Sequence, residues 1–175
     1  MLVSQQKMYV KSSKKFCSQN DNVHSLDPQM DKKTTHKFFD AVYKGNLELL
    51  REMLNAKANV NTINEDGENA LMVAANSGQS SSLQLLIDAK ADLEAGHMNA
   101  LNLATYRGHT ECVRLLVNAK AKVEVKNVAG MTPLMLAARL GYTDSLKLLI
   151  AAKARIETKI EDGWTPLMIS VRCSH

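Results

Sequence analysis

Apolar positions change their pattern at Thr35. Up to residue 33 the chain is rich in Ser, Gln, Asn and Lys, and its few large apolar residues follow no period. Beyond it they gather in short helical runs that come in pairs. Phe38, Phe39, Ala41 and Val42 are followed by Leu47, Leu49, Leu50, Met53 and Leu54. Ala70 to Ala75 are followed by Leu83, Leu85, Leu86 and Ile87, and Leu101, Leu103 and Ala104 by the run Cys112 to Val117. Leu134, Leu136, Ala137 and Ala138 precede Leu146, Leu148, Leu149 and Ile150. A last run, Leu167, Met168 and Ile169, has no second member. Such stripes predict antiparallel pairs of short helices, each with one buried face. The punctuation agrees: Thr132 suits an N-cap, Pro133 the first helical position and Gly141 the end of the helix.

The pairs repeat. Asn55-Ala-Lys-Ala, Asp88-Ala-Lys-Ala, Asn118-Ala-Lys-Ala and Ala151-Ala-Lys-Ala place lysines at 57, 90, 120 and 153. Glycines at 45, 78, 108 and 141 and alanines at 41, 74, 104 and 137 keep the same spacing. A period near 33 residues is the mark of stacked supersecondary units. The fold expected is an all-α solenoid of four units and a partial fifth, with approximate boundaries 36–64, 65–95, 96–127, 128–160 and 161–175. Residues 1–35 are expected to form a disordered basic tail, because they cannot bury enough apolar surface to offset their ordering entropy.

Gly130-Met-Thr-Pro-Leu, Gly163-Trp-Thr-Pro-Leu, Gly108-His109 and the Ala-Lys-Ala endings resemble the ankyrin repeat over residues 36–175. The resemblance implies β-hairpin-like fingers between helix pairs. It also implies recognition of other proteins through the fingers and the exposed side of the first helices. Four departures stand out. The family's His after Thr-Pro-Leu is replaced by Met72, Asn102, Met135 and Met168. Its Gly before Ala-Asp is Lys57, Lys90, Lys120 and Lys153, each costing roughly 1 kcal/mol if the backbone there is left-handed. The third unit is three residues short, within 93–98, so its finger is expected to be stunted. The last unit lacks a second helix, which is expected to leave Leu167, Met168 and Ile169 uncovered.

Composition narrows the functional classes. Aromatic residues make up only 5%, so the core must be aliphatic. Cysteines 17, 112 and 173 are odd in number and lack metal-ligand or disulfide spacing, which suits a reducing compartment. No apolar run reaches membrane-spanning length. The N-terminus has no secretory stretch and no Asn-x-Ser/Thr acceptor occurs, so a cytoplasmic or nuclear protein is expected. The net charge of +4 lies wholly in residues 1–37, leaving the repeat body with no charge excess to recruit nucleic acid.

Catalytic and metal signatures are missing. No phosphate-binding glycine loop, HExxH or GxSxG occurs, and His24, His36, His97 and His175 have no partner at ligand spacing. His109 is expected to fix a turn, and Cys112, in an apolar helix, to be an inert buried thiol. The acidic pairs Glu65-Asp66 and Glu161-Asp162 fall at finger tips, which are normally solvated. The lysine column is either a row facing an acidic partner or a solvated edge.

The expected function is therefore a non-catalytic protein-interaction module that needs no cofactor. Carried over position by position, the resemblance implies a binding surface of Tyr43, Lys44, Glu65, Asp66, Glu68, Asn76, Met98, Tyr106, Arg107, Lys126, Val128, Met131, Arg139, Leu140, Lys159 and Trp164. Trp, Tyr, Arg and Met are over-represented at interface hot spots. Two alternatives stand beside it. The chain is a fragment or regulatory region of a larger ankyrin-containing enzyme or scaffold, or Lys7, Lys11, Lys14 and Lys15 tether it to anionic lipid or nucleic acid. A monomer is expected unless the open C-terminal end associates with itself.

Overall fold

A computed structural model describes residues 31–96 and 98–173 of the chain. The described residues form helices in pairs: α1 (Lys32–Lys44) with α2 (Leu47–Asn55), α3 (Ala70–Ser77) with α4 (Ser80–Asp88) and α5 (Ala100–Arg107) with α6 (Thr110–Asn118). They continue with α7 (Pro133–Leu140), paired with α8 (Thr143–Ala151), and a lone α9 (Pro166–Arg172). First helices pack on first helices in the order α1, α3, α5, α7, α9, and second helices on second helices in the order α2, α4, α6, α8. Within each pair the two helices also pack on each other, so successive units stack one on the next.

The expected tail falls mostly outside the described residues. Its end does not, and there the boundary moves. Residues 32–35, expected in the tail, open α1, because the Asp31 carboxylate accepts from Thr34 N at 2.6 Å and Thr35 packs inward. Hydrogen bonding from the Thr34 backbone also lowers the Asp31 carboxyl below its ordinary range. The first buried layer joins Phe38 and Val42 to Leu50, and successive layers are built from Leu71, Leu83 and Leu86, then Leu101, Val113 and Leu116, then Leu134 and Leu149. Alanines 74, 104 and 137 have no exposed surface, and their small side chains let adjacent helices approach.

Helix starts divide into two kinds. First helices are capped by their own side chains: Asn69, Asn99, Thr132 and Thr165 accept from the backbone N–H three residues on. So does Asn46 at the start of α2. The later second helices begin at Gln79, His109 and Tyr142, none of which caps its own helix. Those side chains reach back to the preceding unit. Gln79 Nε2 donates to Tyr43 O at 3.1 Å, and His109 Nε2 lies 3.2 Å from Asn76 O. Tyr142 lays its ring against Gly108, where a Cβ would stand 2.8 Å from a ring carbon. Asn46, in the first pair of the described residues, keeps the local cap.

Second helices end in left-handed lysines. Lys57, Lys90, Lys120 and Lys153 have φ of 63°, 65°, 69° and 64°, the left-handed backbone that the family resemblance carried for positions where it has Gly. The alanine after each donates to a carbonyl five residues back and the lysine itself to one three back, the bonding pattern of a Schellman cap. The four side chains are exposed.

A further row of bonds crosses the seams. Asn61 Oδ1 accepts from Asp92 N at 2.8 Å, Glu94 Oε1 from Lys122 N at 2.7 Å and Glu124 Oε1 from Arg155 N at 2.7 Å. Glu124 Oε2 also accepts from Thr158 Oγ1 at 3.3 Å. Glu157 occupies the next position of this row and has no such partner among the described residues.

The missing family His is replaced in two ways. Asn102 keeps a polar seam bond, donating from Nδ2 to Val125 O at 3.1 Å, although its Oδ1 is buried without a partner. Met72 and Met135 are buried instead, and the Met72 thioether fills the space beside Gly96. One expectation about α9 needs correction. Ile169 is only 6% exposed because it faces α7, whereas Leu167 and Val171 stand 72% and 70% exposed on the opposite face.

Two stability outcomes follow from this frame. Lys120→Gly relieves left-handed strain and is expected to gain about 0.5–1 kcal/mol in urea denaturation of the whole chain. Glu124→Ala should lose about 1–2 kcal/mol because it opens a seam bond, while Glu157→Ala stays within about 0.5 kcal/mol. Equal losses from these two substitutions would remove the seam role.

Candidate functional site

The backbone fixes the candidate residues in two rows. One row is the C-terminal ends of the first helices, where Tyr43 and Lys44, Asn76, Tyr106 and Arg107, and Arg139 and Leu140 occupy equivalent places. The helix-ending glycines Gly45, Gly78, Gly108 and Gly141 hold φ near 70°, turning the chain sharply so that these side chains stay at the surface. The other row is the fingers.

Fingers two and four are each held by one asparagine. Asn64 Oδ1 accepts from Asp66 N and Glu68 N, and Asn127 Oδ1 accepts from Ala129 N and Met131 N, all at 2.9 or 3.0 Å. Asn64 N then donates to Glu68 O, and Asn127 N to Met131 O, closing the hairpin. The fifth finger keeps the backbone bond, Ile160 N to Trp164 O at 3.2 Å, with isoleucine in place of asparagine. Finger three shows no counterpart among the described residues, consistent with its lost length; Glu94 accepts there from Asn99 Nδ2. The reading of the sequence missed Asn64 and Asn127, although Asn64-x-x-Gly67 and Asn127-x-x-Gly130 share a spacing.

Several candidate side chains come together across seams. Arg107 Nε donates to Asn76 Oδ1 at 2.8 Å, and the Arg107 guanidinium stands 5.7 Å from the Tyr106 ring centroid. Lys126 Nζ donates to Lys159 O at 3.4 Å. Within one unit, Arg139 points to Met131 Sδ at 3.5 Å. Lys44 pairs with Asp40 at 2.9 Å, an exposed i,i+4 pair of small energetic weight. Trp164 is half-buried beneath Arg172, whose guanidinium lies 5.0 Å from the ring centroid, so the indole is braced from α9, the helix that follows its finger.

The remaining candidates stand apart from these pairs. Tyr43 and Val128 are 63% and 65% exposed, Glu65 and Asp66 lie at an exposed tip, and Met98 and Leu140 are half-buried. Glu68 is half-buried, and its burial pushes the carboxyl above the ordinary range against the opposing bond from Asn64 and the pull of Arg107. Tyr43, Asn76, Ser77, Gln79, Arg107 and His109 line an open groove of about 570 Å³ across the first three units. Ser77 and Gln79 were not among the candidates carried over by position.

No set of three or more His, Cys, Asp or Glu side chains among the described residues is arranged to hold a metal. His109 is engaged in its turn, as described. Cys112 is buried in α6, and burial together with neighbouring Glu111 pushes its thiol up to about 11. Glu111 itself is bonded to Arg114, which lowers its carboxyl. No helix among the described residues is long and apolar enough to cross a membrane.

A family profile described as ankyrin repeats, in three copies, matches residues 38–127 and 120–175. An ankyrin repeat and SAM domain-containing protein 6 from Danio rerio is 38% identical over 76 residues, 42% of this chain and 10% of that protein. The protein of the same name from Rattus norvegicus is 36% identical over 75 residues, 42% of this chain and 8% of its own length. The chain thus spans about a tenth of the length of the curated relatives it matches.

The thiol gives a clean measurement. In the native protein at pH 8, Cys112 should resist a thiol reagent that modifies exposed Cys173, and should react on unfolding. Because the folded thiol holds its proton above the ordinary 9.0, its contribution to stability is intact below pH 9 and lost between 9 and 11. Rapid native labelling of Cys112 would contradict its burial.

Proposed function

This chain belongs to the ankyrin-repeat family, and we propose that it is a non-catalytic interaction module that grips a partner protein on its concave face. Ankyrin repeats generally mediate contacts between proteins, which supports the coarser half of the reading. The finer half rests on one observation. Candidate side chains on successive units are positioned by bonds that also tie those units together, Asn76 with Arg107 and Lys126 with Lys159. A surface ordered in advance loses little side-chain freedom on binding, so modest contacts sum to useful affinity. Trp164, braced by Arg172, and Tyr106, beneath Arg107, are the aromatic anchors of the proposed surface.

The reading includes a cytoplasmic or nuclear setting, which suits an unpaired exposed Cys173 and an unpaired buried Cys112. A second reading, a regulatory region within a larger scaffold, draws support from the relatives, whose names join ankyrin repeats to a SAM domain. The proposed basic tether lies outside the described residues and has no support from the fold.

Affinity capture of partners with the wild-type chain and with a Trp164→Ala/Arg139→Asp variant tests the face. The partner retained by wild type should bind the variant at least about tenfold more weakly, with helicity unchanged by circular dichroism. Undiminished capture would place the binding surface elsewhere.

A further inference from the structure

We propose that Arg107 reads a carboxylate: the groove across the first three units seats an Asp or Glu side chain of the partner protein on the Arg107 guanidinium. This deepens the concave-face reading and rests on it.

The geometry is that of a preset fork. Asn76 Oδ1 takes the Nε hydrogen at 2.8 Å, and the Tyr106 ring lies 5.7 Å away. Those contacts fix the plane of the guanidinium and occupy the nitrogen that points back into the protein. The terminal amino groups carry no hydrogen bond to the described residues, and Arg107 lines the groove with Tyr43, Ser77 and Gln79. A guanidinium held at one edge and open at the other matches the two oxygens of a carboxylate, with less freedom lost per bond than a mobile lysine loses.

Local charge selects the anion. Burial raises the Glu68 carboxyl and Asp66 of the same finger adds to the rise, while the charge of Arg107 opposes it, so both carboxylates share the electrostatic surroundings of Arg107. A phosphate dianion would meet one guanidinium and two nearby carboxylates, whereas built phosphate sites gather several cations. A nucleic-acid strand would place successive phosphates against Glu65 and Asp66 at the finger tip. A single carboxylate carries less charge than a phosphate dianion and meets less of that repulsion, and the acidic finger is left to meet basic flanking residues.

The test uses random twelve-residue peptides displayed on phage and panned on the full chain. Enriched peptides are synthesised with each Asp or Glu and with the matching amide, and titrated by calorimetry. We expect enriched peptides to share an acidic residue whose amide form binds wild type about tenfold more weakly. On Arg107→Lys, which keeps the charge but loses the fork, the acid and amide forms should differ by less than about twofold. Asn76→Ala, which frees the guanidinium, should weaken the acidic peptide a few-fold while thermal unfolding shows the stack intact. Peptides that lose affinity for the Trp164→Ala/Arg139→Asp variant but carry no acid, or ignore Arg107→Lys, overturn the carboxylate assignment and leave the concave-face reading standing. Tighter binding of a phosphoserine version than of the glutamate version also overturns it. Peptides that bind the double variant undiminished overturn the concave-face reading itself, and failure to enrich any peptide counts against both.

Discussion

An isolated helix of eight residues is not stable in water, because too few hydrogen bonds repay the cost of its first turn. The first helices α3, α5 and α7 have that length, and the second helices only nine residues. None can persist unless its neighbours cover it. The interior of each is nearly solvent-free: Leu71, Leu101 and Leu134 are at most 1% exposed, each between the helices before and after its own. Every other feature serves this mutual covering. Alanines at 74, 104 and 137 let helices approach, and glycines at 45, 78 and 108 admit a side chain from the following unit onto the turn.

Choices between local and inter-unit stability follow the same logic. Gln79, His109 and Tyr142 stand where a self-capping Asn would add about 1 kcal/mol to one helix. They turn instead to the preceding pair, and α2, in the first pair of the described residues, is the second helix that keeps its Asn cap. The lysines at 57, 90, 120 and 153 likewise accept a strained backbone, because the chain must reverse there to bring Asn61, Glu94 and Glu124 to their seams.

The parts of this arrangement that depend on local chemistry were readable from the residues. Thr132 and Pro133 announce a helix start and Gly141 a helix end, and the resemblance set the four lysines where the family has a helix-ending Gly and so a left-handed backbone. What escaped depends on partners about thirty residues away. Asn61, Glu94 and Glu124 perform one task with two different side-chain types, so no residue pattern marks the row. The direction of Ile169 was missed for another reason: Leu167, Met168 and Ile169 are consecutive, and only the seat of α9 on α7 decides which of them turns inward. The opening of α1 was hidden among lysines at 32, 33 and 37, whose polarity masks a helix that Asp31 caps. At the candidate surface, residue types suggested Trp164 and Arg107, whereas the pinning of Arg107 by Asn76 emerges only from the stacking of α3 on α5.

The third finger shows where this architecture tolerates change in chain length. Three residues are missing between Leu93 and Met98, yet Glu94 still finds Lys122 N at 2.7 Å and α5 still lies between α3 and α7. The loss was absorbed because a finger projects beyond the helical layers, and shortening it shifts no residue inside them. A deletion of the same size within α3 would rotate the later side chains of that helix away from their pockets by most of a turn. Changes of chain length at a finger thus leave the buried layers in register, so the edge of the stack can vary without loss of its core.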